Sequence, residues 1–220
     1  MDGELRLALD QQYRQLEAVV DLYNLLKPRA PMPALRRWQA SPDVIHTLVD
    51  TMWVNRPELV VECGSGASSI WLGYTVERVG VGRVVALEHD EKYFRRTADM
   101  LRMHSLDRLV DVRLAPLRRW SMRDETWRWY SRAALRDVDG IGLVFVDGPP
   151  GATGPIARYP AMAELLPRCT PEAVIVLDDA SRDDEAAISD RWLAEFPELE
   201  RTIGDHEKGA HIFTRRSTAG

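Results

Sequence analysis

From Leu59 onward, short apolar runs alternate with stretches of helical periodicity, and this alternation admits few folds. The runs are Leu59–Cys63, Arg83–Glu88, Leu109–Leu114, Ile141–Asp147 and Ala173–Asp178. Helical segments fall at Ala67–Val79, Asp90 to about His104, Ile156–Arg168 and Asp183–Phe196. Strands separated by helices predict a parallel sheet with right-handed crossovers and helices on both faces. The ending differs: Leu199–Ile203 and Ala210–Thr214 are β-prone, and Gly204–Gly209 between them is too short for a crossover helix. Those two runs are predicted to pair as an antiparallel hairpin. The expected fold class is therefore α/β, with a Rossmann-like, mostly parallel sheet, a C-terminal antiparallel hairpin and helices ahead of it.

Residues 4–27 place Leu5, Leu9, Tyr13, Leu16, Val20 and Tyr23 on one helical stripe. Such a stripe needs a cover, either the domain's own flank or a second copy, so a homodimer through this helix is a candidate. Pro28, Pro31 and Pro33 end the helix, and Ser41-Pro42-Asp43 reads as an N-cap with proline in the first turn of the next one. We expect a helical extension and proline-rich linker over 1–40, a ligand-binding domain over 41–216 and a tail over 217–220. Residues 116–139 show no clean period. Their aromatics, Trp120, Trp127, Trp129 and Tyr130, either line a pocket or pack the segment down. Trp38 is expected to join the N-terminal packing.

With 29 Lys and Arg against 34 Asp and Glu the net charge is −5, which disfavours a nucleic-acid partner. Cys63 and Cys169 both lie in apolar stretches and are expected as free thiols of a reducing compartment. The acidic, polar start predicts no secretory leader, and no apolar run approaches the roughly 20 residues that span a bilayer. The expected location is cytoplasmic, with no membrane partner.

The stretch from Val60 to Ser69 is an apolar strand running into Glu62-Cys63-Gly64-Ser65-Gly66 and then a helix. In open α/β sheets the first strand–helix turn is where ligands sit, and glycine permits close backbone approach. The second strand ends in Glu88-His89-Asp90. A carboxylate at Glu88 suits both ribose hydroxyls of an adenosine, while its plain alternative is an acid facing a helix N-terminus, which Asp90 fills better.

On these residues the chain resembles the class I S-adenosylmethionine-dependent methyltransferases over roughly 41–216. Glu62–Gly66 is similar to their first motif, Glu/Asp-x-Gly-x-Gly. Val146-Asp147-Gly148-Pro149-Pro150 is similar to a fourth-strand motif of small-molecule O-methyltransferases. The resemblance implies that Gly64, Ser65 and Gly66 line the methionine moiety, with Glu62 near its ammonium. It implies Glu88 on the ribose and Ala115-Pro116-Leu117 beside the adenine; Ser69, His89 and Asp147 complete the expected cofactor contacts. The expected activity is methyl transfer to a small-molecule acceptor, most naturally a hydroxyl. Two alternatives stand beside it. One is an NAD-linked oxidoreductase, against which Glu62 and the terminal hairpin argue; the other is a non-catalytic interaction module of the same fold.

Asp147 at the fourth strand's end and Asp178-Asp179 at the fifth's fall on one rim of the sheet. Three clustered carboxylates repel unless something positive sits among them. Hard oxygen ligands suit Mg²⁺, and some related O-methyltransferases hold a divalent ion with acids at these places. The alternative is that these acids cap helices or bind loop amides. The catechol-type members of the family have a lysine base after the fourth strand, but residues 148–155 contain neither lysine nor histidine. Catalytic candidates are therefore Asp147 itself, His206 and His211 in the terminal hairpin, and His89. Arg158 and Tyr159 follow the proline-rich loop and are expected to face the same rim.

Overall fold

The computed structural model describes residues 3–35 and 38–216; the predicted tail over 217–220 and the first two residues of the extension lie outside the described residues. In chain order the main elements begin with α1 (Gly3–Leu26), α2 (Pro42–Asn55), β1 (Leu59–Cys63), α3 (Ala67–Val79) and β2 (Arg83–Glu88). They continue with α4 (Glu91–Met103), β3 (Val110–Leu114), β4 (Leu117–Met122), β5 (Glu125–Tyr130) and β6 (Ile141–Val146). The last are α5 (Pro160–Leu165), β7 (Cys169–Asp178), α6 (Asp183–Glu195), β8 (Leu199–Gly204) and β9 (Ala210–Arg215).

Seven strands form one sheet in the order β3-β2-β1-β6-β7-β9-β8. The first five of these are parallel neighbours, whereas β9 runs antiparallel to both β7 and β8. This is the predicted parallel sheet closed by a hairpin. All five residues of β1 are buried, as expected for a central strand covered on both faces. The pleat sends Val61 and Cys63 into one apolar cluster, with Val85, Leu87, Val144, Val146, Ile175 and Leu177. Val60 enters the cluster on the other face with Val84, Ala86, Leu143, Phe145, Val174 and Val176.

Four expectations change. The stripe on α1 exists but faces away from the body of the protein: Leu5, Leu9, Tyr13, Leu16, Val20 and Tyr23 are 45–66% exposed. The buried face of α1 is instead Ala18, Leu22 and Leu26, and the two leucines join Val44, Ile45 and Leu48 of α2 in one cluster. Second, much of 116–139 is regular: β4 and β5 form an antiparallel two-stranded ribbon with Trp120 opposite Trp127. Its aromatics pack the segment down. Trp120 Nε1 donates to Glu164 Oε2 at 2.9 Å, and Trp127 lies 4.6 Å, centroid to centroid, from Tyr159. Third, Trp38 does not join the N-terminal packing and is 85% exposed. The helix expected over Ile156–Arg168 is also shorter, because α5 starts at Pro160 and yields to a 3₁₀ turn over Leu166–Arg168.

Candidate active site

The strand order reverses between β1 and β6, so the ends of β1, β2, β6 and β7 share one rim, where open α/β sheets place their ligand crevice. After β1 the chain turns through Gly64-Ser65-Gly66 into α3. Gly64 has φ +111°, a conformation that side chains disfavour. Two backbone hydrogen bonds stitch this turn to its neighbours: Gly64 N–H donates to Leu87 O and Asp147 N–H donates to Cys63 O, both at 3.0 Å.

Two carboxylates flank the turn. Glu62 is buried and accepts hydrogen bonds from the hydroxyls of Ser68 and Ser69, the latter at 2.5 Å. Ser69 Oγ in turn accepts from Gly66 N–H at 3.1 Å. Burial pushes the Glu62 carboxyl up to about 7, helped by the nearby charge of Glu88 and opposed by the two serines. Glu88, also buried, accepts from Ser65 Oγ at 3.0 Å on one oxygen and from Asp90 N–H at 2.9 Å on the other. His89 Nδ1 lies 3.1 Å from Glu88 Oε1. Asp90 caps α4 by accepting from Lys92 and Tyr93 N–H groups, the role expected of it. Ala115 N–H donates to Glu88 O at 2.6 Å, so Ala115-Pro116-Leu117 leaves β3 alongside the end of β2.

The third part of the crevice is the end of β6. Gly148 sits so close to its neighbours that a Cβ there would come within 2.5 Å of Tyr130 Oη and 3.2 Å of Cys63 O. Tyr130, the last residue of β5, is buried with its hydroxyl unpartnered among the described residues. The sequence offered it only as one of four aromatics that either line a pocket or pack the segment down, since nothing local tells it apart from its packed neighbour Trp129.

Asp147, Asp178 and Asp179 do come together: one oxygen from each lies within 4.8 Å of the others. A guanidinium stands among them. Arg158 Nη2 is 2.9 Å from Asp179 Oδ2 and 3.3 Å from Asp147 Oδ1, while Nη1 donates to Asp178 O at 3.0 Å. Arg158 Nε lies 3.4 Å from Glu185 Oε1, and Arg182 reaches Asp179 from outside at 2.9 Å. Burial and the charge of Asp178 push the Asp147 carboxyl well up, against the pull of Arg158. Asp178 is raised to about 6 by burial and by Asp179. The cluster offers the oxygen donors a hard cation needs; Arg158 takes one oxygen each of Asp147 and Asp179 and only the backbone carbonyl of Asp178, while Asp178 Oδ2 and Asp179 Oδ1 are buried without a hydrogen-bond partner among the described residues.

The two terminal histidines are engaged elsewhere. His206 Nε2 is 2.8 Å from Thr47 Oγ1 on α2, and His211 Nδ1 is 2.7 Å from Ser189 Oγ on α6. Burial lowers the His211 pKa.

Fold and crevice together define the class: a class I S-adenosylmethionine-dependent methyltransferase. Residues 61–180 match the family model described as a methyltransferase domain, over half of the chain's 220 residues, and the protein belongs to that family. No curated relative matches the sequence. Solved structures agree on the fold. A methyltransferase of Podospora anserina bound to S-adenosylhomocysteine aligns at TM-score 0.70 and 13% identity, covering 99% of this chain and 98% of that one. The O-methyltransferase TomG of Streptomyces achromogenes, involved in tomaymycin synthesis and solved with S-adenosylmethionine, aligns at 0.64 and 17%, covering 99% and 100%. An O-methyltransferase of Bacillus cereus in complex with S-adenosylhomocysteine aligns at 0.61 and 19%, covering 93% and 96%.

Proposed function

We propose that the enzyme methylates a hydroxyl oxygen of a small-molecule acceptor, with the cofactor held between the ends of β1 and β2 and the acceptor beside Asp147. The observation that carries the cofactor placement is Glu62: a buried carboxylate whose hydrogen-bond partners are two neutral hydroxyls. That donor set fits an ammonium group and would repel a pyrophosphate, which favours S-adenosylmethionine over NAD. Gly64, Ser65, Gly66 and Ser69 line the methionine end in this reading. Glu88 and His89 take the ribose, and Ala115, Pro116 and Leu117 flank the adenine.

When bound, the cofactor supplies an electrophilic methyl carbon on a sulfonium sulfur. The protein's own work is to orient the acceptor, exclude water and take the hydroxyl's proton. Asp147 is the group at the rim suited to accept that proton. His206 and His211 are the other candidates from the sequence, and their bonds to Thr47 and Ser189 favour Asp147 over them. The Mg²⁺ expected from the acid cluster takes no part in this reading, because Arg158 stands among the same carboxylates.

A net charge of −5 favours a small molecule over nucleic acid as acceptor. Among the described residues no helix is long and apolar enough to cross a membrane. Free thiols at Cys63 and Cys169 suit a cytoplasmic, reducing setting. The outward stripe of α1 supports a homodimer, with 1–40 serving as the pairing extension and 41–216 as the catalytic domain. The reading is tested by screening phenols, alcohols and amines with methyl-labelled S-adenosylmethionine. Label on a hydroxyl acceptor is expected, lost in Asp147→Asn; label on amines alone would overturn it.

A further inference from the structure

We propose that the guanidinium of Arg158 is the resident cation of the carboxylate cluster at the ends of β6 and β7, so that this enzyme positions Asp147 without a divalent metal. The inference rests on Asp147 being a transfer-site residue.

Four acids converge here from three elements: Asp147 after β6, Asp178 and Asp179 at the end of β7, and Glu185 on α6. Asp178 is fully buried, and Asp179 and Glu185 are each 3% exposed. Buried carboxylates at this spacing need a counter-charge. Arg158 is 3% exposed, and its two terminal nitrogens engage the group. Nη2 spans Asp147 and Asp179, Nη1 takes the Asp178 carbonyl, and Nε lies 3.4 Å from Glu185 Oε1 in an ion pair without a hydrogen bond. A planar, permanently charged fork matches several oxygens at once in a way that a lysine's point charge does not.

A divalent ion would compete with Arg158 for the same acids. Mg²⁺ demands oxygens at about 2.0–2.1 Å in near-octahedral array, and Nη2 already holds one oxygen each of Asp147 and Asp179. Expelling Arg158 would strand a buried guanidinium without its partners, a penalty the ion would have to overcome. Arg182 and Lys208 add positive charge to the same acids: Arg182 Nη1 reaches Asp179 at 2.9 Å, and the charge of Lys208 pulls on Asp178. A guanidinium cannot bind the acceptor oxygen as a Lewis acid does. Arg158 is therefore a positioning residue, which fixes the direction of the Asp147 carboxylate and opposes its protonation.

The test is titration of the purified protein with MnCl₂, followed calorimetrically, for the native chain, Arg158→Gln and Arg158→Lys. Titration with S-adenosylhomocysteine runs in parallel. The native chain and Arg158→Lys are expected to show no saturable Mn²⁺ binding. Arg158→Gln, with the four acids stripped of their central guanidinium, is expected to gain a Mn²⁺ site that a further Asp178→Asn change removes. Transfer to the acceptor found in the labelling screen is expected to persist in excess EDTA. Saturable Mn²⁺ binding by the native chain, with activity lost in EDTA and restored by the metal, would overturn the proposal, as would a folded Arg158→Gln with no Mn²⁺ affinity. Should Arg158→Gln fail to fold, the native titration and the EDTA assay decide alone. Failure to bind S-adenosylhomocysteine would strike the functional reading and leave the metal titration interpretable.

Discussion

Ser65 Oγ donates to Glu88 Oε2 at 3.0 Å, tying the glycine-rich turn after β1 to the acid that ends β2. Ser65 also lies 3.1 Å from Thr97 Oγ1 on α4, so the Glu88 carboxylate is aimed before any ligand arrives. Loss of charge-assisted hydrogen bonds from a carboxylate to a diol costs about 1–3 kcal/mol. Glu88→Ala is accordingly expected to weaken S-adenosylhomocysteine by that amount, measured calorimetrically, with the melting temperature little changed. Unaltered affinity would place the ribose elsewhere.

Glu62 carries a pH signature. Its carboxyl is raised by burial from 4.5 to about 7, so its contribution to stability is full below 4.5 and is lost as pH rises through about 7. The cofactor-free protein should lose up to about 3 kcal/mol from this group between pH 5 and 8, and Glu62→Gln should flatten that slope. A bound ammonium would hold Glu62 ionised. Binding of S-adenosylhomocysteine at pH 6 should then release a proton, and binding at pH 8.5 should not. Comparing binding heats in buffers of different ionisation enthalpy reads this directly; no proton release at pH 6 would separate Glu62 from the ammonium.

The parallel sheet and its closing hairpin were legible because each strand is a short apolar run bounded by helix signals, as in Leu59–Cys63 and Ile141–Val146. The glycine turn and Glu88 were legible for the same reason: strand ends fix their positions. The β4–β5 ribbon was hidden. Arginines interleave its tryptophans, Arg119 faces Arg128, and neighbouring Trp129 and Tyr130 are both buried, so no alternation survives. On α1 the richest apolar stripe was read correctly as a stripe, but packing follows the smaller face of Ala18, Leu22 and Leu26. The need for a positive charge among Asp147, Asp178 and Asp179 was visible in the sequence. Arg158 was placed near the same rim, but its role as that charge was not visible, because the contacts span β6, β7 and α6.

Gly148 is held by contact. A Cβ would meet Tyr130 Oη at 2.5 Å and Cys63 O at 3.2 Å. Gly148→Ala should destabilise by roughly 1–3 kcal/mol through overpacking. Tyr130→Phe removes the nearer atom, so the double variant should recover part of the loss. Additive effects in denaturant unfolding would show that Tyr130 and Gly148 do not press on one another.

The outward face of α1 predicts self-association. Leu16→Glu with Val20→Glu adds charge at residues 63% and 57% exposed, so folding should be little affected. Sedimentation should find the native chain dimeric and the variant monomeric at equal melting temperature. A native chain that sediments as a monomer would leave the stripe without this role.

The most direct test of the central claim is calorimetric titration of the purified protein with S-adenosylhomocysteine, with NAD as the parallel control. Saturable binding of S-adenosylhomocysteine alone, weakened by Glu88→Ala, is the predicted result. Binding of NAD instead, or of neither, would contradict the assignment of the crevice between β1 and β2 to S-adenosylmethionine.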